Sequence, residues 1–203
     1  MANSDIKSEH IVADTTAVSV AAVAAASQPN TDFTLTTTGG VVFDAARIVT
    51  ATTSGTSDKD KVVTITGTDL DGDAITETIT LTSTASTVSG TKYFKSVTAA
   101  SISVQPAGNV AVGIAAGAAD KIYAGRARLR GAFIVNSAAA GTITFLTSGS
   151  DGAERLKLGT VASATAERDV SIPDEGILFE NGIYVAYTGG ASAIFTNMTT
   201  FRS

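Results

Sequence analysis

The sequence predicts an all-β protein: an N-terminal extended arm followed by two β-sandwich-like domains. Three observations carry that expectation. Charged residues are 16% of the 203 and hydrophobic residues 44%, and the missing polarity is supplied by Thr and Ser. Thr is β-branched and suits a pleated, half-buried surface. Gly is frequent at 19 and Pro rare at 3, a mix that favours short strands joined by Gly turns. Apolar residues recur at every second position in short runs, and no stretch of ordinary helix length shows a clean 3.6 period.

Residues 1–30 read as an arm, because no sustained alternation appears before Asp32-Phe33-Thr34-Leu35. Within it Ala17–Ala26, AVSVAAVAAA, is apolar, but the segment before it carries Asp5 and Glu9 against Lys7. That is the wrong sign for a secretory leader, and the run is too short and Ala-rich to span a bilayer. A tethering arm or a short packed segment is expected, with no membrane contact.

Residues 31–116 are expected to form the first β-domain. Its strands are predicted at Phe33–Thr37, Ala46–Thr52, Lys61–Thr68, Ala74–Thr82, Lys92–Val97, Ser101–Val104 and Val110–Ile114, a spacing that suits a sandwich. Ala115–Asp120 holds small residues and Asp only, and reads as a boundary. Residues 121–203 are expected to form the second β-domain. Its strands are predicted at Lys121–Ala124, Arg126–Val135, Thr142–Leu146, Arg155–Leu158, Asp169–Ile172, Ile177–Phe179, Ile183–Tyr187 and Ala193–Thr196. Ser150-Asp151-Gly152 and Glu180-Asn181-Gly182 supply turn signals between them. The two domains are not sequence repeats of each other.

Asp69-Leu70-Asp71-Gly72-Asp73 admits two readings, a calcium loop and a hairpin turn. Val63 and Ile65 alternate on one side, and Ile75, Ile79 and Leu81 on the other. Asp-Gly between alternating strands is a strong hairpin signal, because the turn needs φ > 0 where Gly is tolerated. An EF-hand loop needs Gly at its sixth position and Glu at its twelfth. Counted from Asp69, Gly72 is fourth and Glu77 ninth, so the hairpin is preferred and no metal is assigned. Glu77 shares a face with Ile75 and Ile79. A carboxylate there must be hydrogen-bonded, paired or at the rim; a structural Glu held by nearby N–H groups is preferred over a catalytic acid.

GTDLDGDAITETITL (Gly67–Leu81), then SGTKYFKSVTAASISV (Ser89–Val104), then NVAVG (Asn109–Gly113) resembles the small Ig-like β-domain common in tailed-bacteriophage virion proteins. The resemblance runs from about Phe33 to about Ala116. The stretch Ile172–Phe195, IPDEGILFENGIYVAYTGGASAIF, resembles more loosely the C-terminal β-domain of related phage structural proteins. The resemblance implies a protein of the virion, made in the host cytoplasm. A head decoration or cement protein comes first, and a neck or tail component is the alternative. It implies partners among the major capsid protein or other virion proteins, and a homo-oligomer in which a trimer is possible. It carries over no enzymatic residue.

Other chemistry is poorly represented. Cys is absent, which removes disulfides, thiolate nucleophiles and Cys-based metal sites. His10, the only histidine, falls in the expected arm. There is no Gly-x-Ser-x-Gly elbow, P-loop or dinucleotide fingerprint. No enzyme, catalytic residue or cofactor is therefore expected. The net charge of −5 argues against a nucleic-acid groove. A carbohydrate binder would need an aromatic platform, and none is evident with Trp absent and aromatics at 6%.

Arg126, Arg128 and Arg130 are the candidate interface residues. In a strand they share one face, with Ala127 and Leu129 on the other. They suit either a solvated face that blunts edge pairing or a contact stripe for an acidic neighbour. The tips Thr53–Asp60 and Gly149–Ala153 are expected to be small, polar and exposed, with Asp58, Lys59, Asp60 and Lys61 as ordinary solvating charges.

Overall fold

The computed structural model describes residues 4–11, 21–82, 86–115, 119–136, 139–149, 151–161, 167–188 and 191–201. Among them the regular structure is β apart from one short 3-10 turn at Thr56–Asp58. The strands in chain order are β1 (Ser4–Ile11), β2 (Ala24–Ser27), β3 (Val41–Thr53), β4 (Val62–Thr68), β5 (Ala74–Thr80), β6 (Thr87–Ile102), β7 (Val110–Ile114) and β8 (Asp120–Tyr123). They continue with β9 (Ala127–Asn136), β10 (Gly141–Leu146), β11 (Glu154–Thr160), β12 (Glu167–Ser171), β13 (Ile177–Phe179), β14 (Ile183–Thr188) and β15 (Ala191–Phe201). The chain divides into two compact units: Thr16–Ala116, and Met1–Thr15 together with Gly117–Ser203.

Among the described residues of the unit Thr16–Ala116 the strands pair antiparallel: β2 with β7, β7 and β6 with β3, β6 with β4, and β4 with β5. The alternation legible in the sequence becomes the burial pattern, with Val63, Ile65, Ile79 and Leu81 inside and Thr76, Thr78 and Thr80 outside. The long strands β3 and β6 carry register shifts at Val42/Arg47 and Ile48/Thr50. Such bulges bend a strand and increase its twist. One hydrophobic cluster therefore gathers Val23 and Phe33 from the N-terminal side with Ile65, Ile79, Phe94 and Val112 from the sheet.

The Asp69–Asp73 segment is the turn of the β4–β5 hairpin, in register from Val62 opposite Thr80 to Thr68 opposite Ala74. Asp69 Oδ1 accepts the backbone N–H groups of Asp71 (2.9 Å) and Asp73 (3.0 Å). Gly72 sits at φ +90°, the left-handed region that a side chain disfavours. Glu77 is buried, and its Oε1 accepts the Thr91 N–H at 2.6 Å, the Thr91 hydroxyl at 2.9 Å and the Lys92 N–H at 3.2 Å.

The second unit contains two antiparallel sheets. One joins β1, β15, β9 and β12, with β13 also on β9; the other joins β11, β10, β14 and β8. Lys7 Nζ of the first sheet lies 5.5 Å from the ring centre of Tyr123 in the second, so the unit is sandwich-like. Its buried rows include Ile11, Leu129, Ile134, Ile194 and Met198 from the first sheet and Ile122, Ile143, Phe145 and Val185 from the second.

Four expectations are corrected. Residues 1–30 are not an arm throughout: Ser4–Ile11 pairs with β15 from Ser4 opposite Phe201 to Ile11 opposite Ile194, and Ala24–Ser27 pairs with β7. The physical reason is that β15 leaves one backbone edge unpaired, and the long-range partner that fills it has no local signature. Residues 12–20 lie outside the described residues. Phe33–Thr37 is not a strand; Phe33 N–H donates to the Ala100 carbonyl, and Leu35 makes one isolated bridge, to Ala24. Lys92–Val97 and Ser101–Ile102 are parts of one strand, β6, because Ala99 and Ala100 continue the ladder with β4 past a register shift at Thr98; Ser103 and Val104 lie beyond its end. Finally, Asp58 is not a solvating charge but fully buried. Residues 116–118 of the expected linker are outside the described residues, and Asp120 begins β8.

Candidate interaction surface

The outward face of the sheet β1–β15–β9–β12 is built by alternation and one register shift. On β9, Ala127 and Leu129 are buried, and Arg128 and Arg130 point to the opposite side. A register shift beside Gly131 then changes the count, so Ala132 and Ile134 face inward and Phe133 and Val135 outward. On β15, Thr196, Met198 and Thr200 are buried while Phe195, Asn197, Thr199 and Phe201 share the other face. On β1, Ile6, Ser8 and His10 are exposed.

Register then assembles what no local stretch contains. His10 stands opposite Phe195, and Phe195 opposite Phe133. The His10 and Phe195 rings are stacked at 4.3 Å and 7°. Phe195 and Phe133 are tilted at 6.1 Å and 56°, within the range where aromatic pairs attract. Phe195 remains 40% exposed. His10, expected in an arm, is instead one end of a ring row across three strands.

The Arg residues lie beside that row. Arg126 Nε pairs with Glu180 Oε2 at 3.0 Å, and its guanidinium carbon lies 5.3 Å from the ring centre of Phe201. Arg128 pairs with Glu175 Oε2 at 3.2 Å and donates to the Gly176 carbonyl at 3.3 Å. Arg130 donates to the Asp174 carbonyl at 3.3 Å. The turn Asp174–Gly176 that supplies these acceptors has Gly176 at φ +80°, and a Cβ there would collide with the Leu129 carbonyl. The Glu side chains are half or more exposed, Glu175 at 80%, so the pairs are solvent-screened and weak.

Two open grooves follow from this relief. One, of 280 Å³, is lined by Arg126, Arg128, Arg130, Glu175, Thr199 and Phe201. The other, of 330 Å³, runs past Arg130, Phe133, Asp169, Phe195 and Asn197. Arg130 lines both, so the two adjoin at its side chain, and together they are called the trough, lined by cations and rings with Asp169 and Glu175 among them. The arrangement can take a partner that offers carboxylates next to an apolar group.

The second constellation the sequence did not reveal is the Asp58 cage in the other unit. Asp58 Oδ1 accepts Lys61 Nζ at 2.8 Å and the Ala107 N–H at 2.7 Å. Its Oδ2 accepts the Thr53 hydroxyl at 2.8 Å and the Gly108 N–H at 3.1 Å. Burial by itself would raise this carboxyl, but Lys61, Ala107, Thr53 and Gly108 together outweigh it and hold the pKa at about 2 against the ordinary 3.8. Every acceptor position is occupied from within the chain, so the cage fastens the loop at Ala107–Gly108 to the Thr53–Lys61 tip.

In comparisons with family models, curated proteins and solved structures, none matches this chain.

Proposed function

We propose that this chain is a non-enzymatic structural protein of a tailed-phage particle, with head decoration or cement as the first assignment and a neck or tail component as the alternative. The reading rests on the Ig-like phage resemblance of Gly67–Leu81, Ser89–Val104 and Asn109–Gly113. The single structural observation that supports a docking role is the open trough of Arg126, Arg128, Arg130, Phe133 and Phe195 on one sheet face. Aromatic and Arg side chains are enriched at protein interfaces, and surface ion pairs there are readily exchanged for new partners. The partners proposed are the major capsid protein or other virion proteins, with copies of this chain grouped as a symmetric oligomer.

The test is an add-back to particles lacking this protein, with the chain located by mass spectrometry of separated heads and tails. Binding to heads with greater heat resistance supports decoration. Binding to necks or tails alone transfers the assignment to the alternative. Binding to neither rejects the virion reading.

A further inference from the structure

We propose that the acidic tip of the β4–β5 hairpin in one copy docks into the Arg–Phe trough of a second copy. The tip is anionic in a particular way. Asp69 turns one oxygen inward onto the N–H groups of Asp71 and Asp73. Asp71 and Asp73 are exposed and make no ion pair among the described residues. Leu70, half-buried, sits between Asp69 and Asp71. A rigid turn thus presents two free carboxylates beside one aliphatic side chain, and its internal hydrogen bonds reduce the ordering lost on contact.

The trough offers the complement. Arg130 donates to a neutral carbonyl and makes no ion pair among the described residues, with Asp169 and Glu175 as the carboxylates of the grooves it lines. Arg126 and Arg128 hold exposed glutamates whose exchange for another carboxylate costs little. A guanidinium fork takes a carboxylate in two parallel hydrogen bonds. Phe133 and Phe195 lie one residue row away and suit the leucine. Copies of a chain with net charge −5 repel at long range, so this local match selects one register of approach rather than general adhesion.

Tip and trough are different surfaces, so the contact is heterologous, and it closes into a ring or continues as a filament. A hairpin tip buries less than a standard interface, so the isolated contact is weak and gains strength by repetition. The proposal concerns the isolated chain. Its failure leaves the virion assignment standing, and failure of the add-back leaves the proposal standing.

The test is sedimentation velocity of the full-length protein across a concentration series, at low and at high salt. Wild type is expected to associate at low salt and dissociate as salt screens the ion pairs. Asp71→Lys with Asp73→Lys, and separately Arg126→Glu with Arg128→Glu and Arg130→Glu, should each weaken association by at least about tenfold. Mixing the two variants should restore it, since the intact Asp tip of one meets the intact Arg trough of the other, and the lysine tip meets the glutamate trough. Circular dichroism and melting must match wild type for both. A wild type that stays monomeric, a variant that associates like wild type, or a mixture of folded variants that stays monomeric would each overturn the proposal.

Discussion

The Asp58 and Glu77 sites of one unit and the Arg row of the other use charge in opposite ways. In Thr16–Ala116, Asp58 and Glu77 are buried and fully engaged by N–H groups, hydroxyls and Lys61, so they fasten loops to strands. In the other unit, Arg126 and Arg128 hold partners that stand in solvent. Charge that is enclosed is expensive to disturb; charge that is screened is available for exchange. The units differ in connectivity as well. The first is one continuous stretch of chain, while the second takes its edge strand β1 from the far N-terminus.

Cutting the chain between the units should do the most. A fragment 16–116 should melt cooperatively by itself, because it keeps β2 and the buried Val23 and Ala24. A fragment 117–203 should not, because it lacks Ile11 and the strand that pairs β15 along its length. Adding residues 1–15 as a peptide, or fusing them ahead of residue 117 through a flexible linker, should recover cooperative melting by calorimetry. Cooperative folding of 117–203 alone would remove the asymmetry between the units.

The next effect is the Asp58 cage. Asp58→Ala strips the partner from Lys61 and from two backbone N–H groups, a loss of about 3 kcal/mol in denaturant unfolding. Amide exchange should accelerate first at Ala107 and Gly108. A change below about 0.5 kcal/mol, the range of ordinary surface substitutions, would mean the cage does not fasten the loop.

Acid should expose the same device without mutation. The folded pKa of Asp58, about 2, lies below the ordinary 3.8, so the ionised form is the one that stabilises the fold. That contribution, about 2 kcal/mol from the pKa difference, is complete above the unfolded pKa and fades as pH falls from about 5 to 2. Wild type should lose stability across that window more steeply than Asp58→Ala. Parallel curves would assign the acid sensitivity elsewhere.

The smallest effect belongs to the exposed pairs. Arg126→Ser with Arg128→Ser should change stability by less than about 1 kcal/mol, and by less still at high salt. A larger loss would make the Arg row a structural fastening like Asp58 and erase the contrast between the units.

The β class, most strand positions and the β4–β5 turn are legible in the sequence, because a period of two and an Asp-Gly pair are local signals. The strand Val110–Ile114 and the strand Ile177–Phe179 coincide with β7 and β13 for that reason. The sequence also placed Arg126, Arg128 and Arg130 on one face, since alternation needs only neighbours. Tertiary structure alone decided the rest. Nothing near Ser4–Ile11 announces a strand, because its partner β15 lies at the other end of the chain. His10, Phe133 and Phe195 form a row only through the register of three strands. Asp58 reads like its neighbour Asp60 until Ala107 and Gly108 close over it. Periodicity encodes which way a side chain points; which distant segment it then meets is set by pairing that no window of the chain contains.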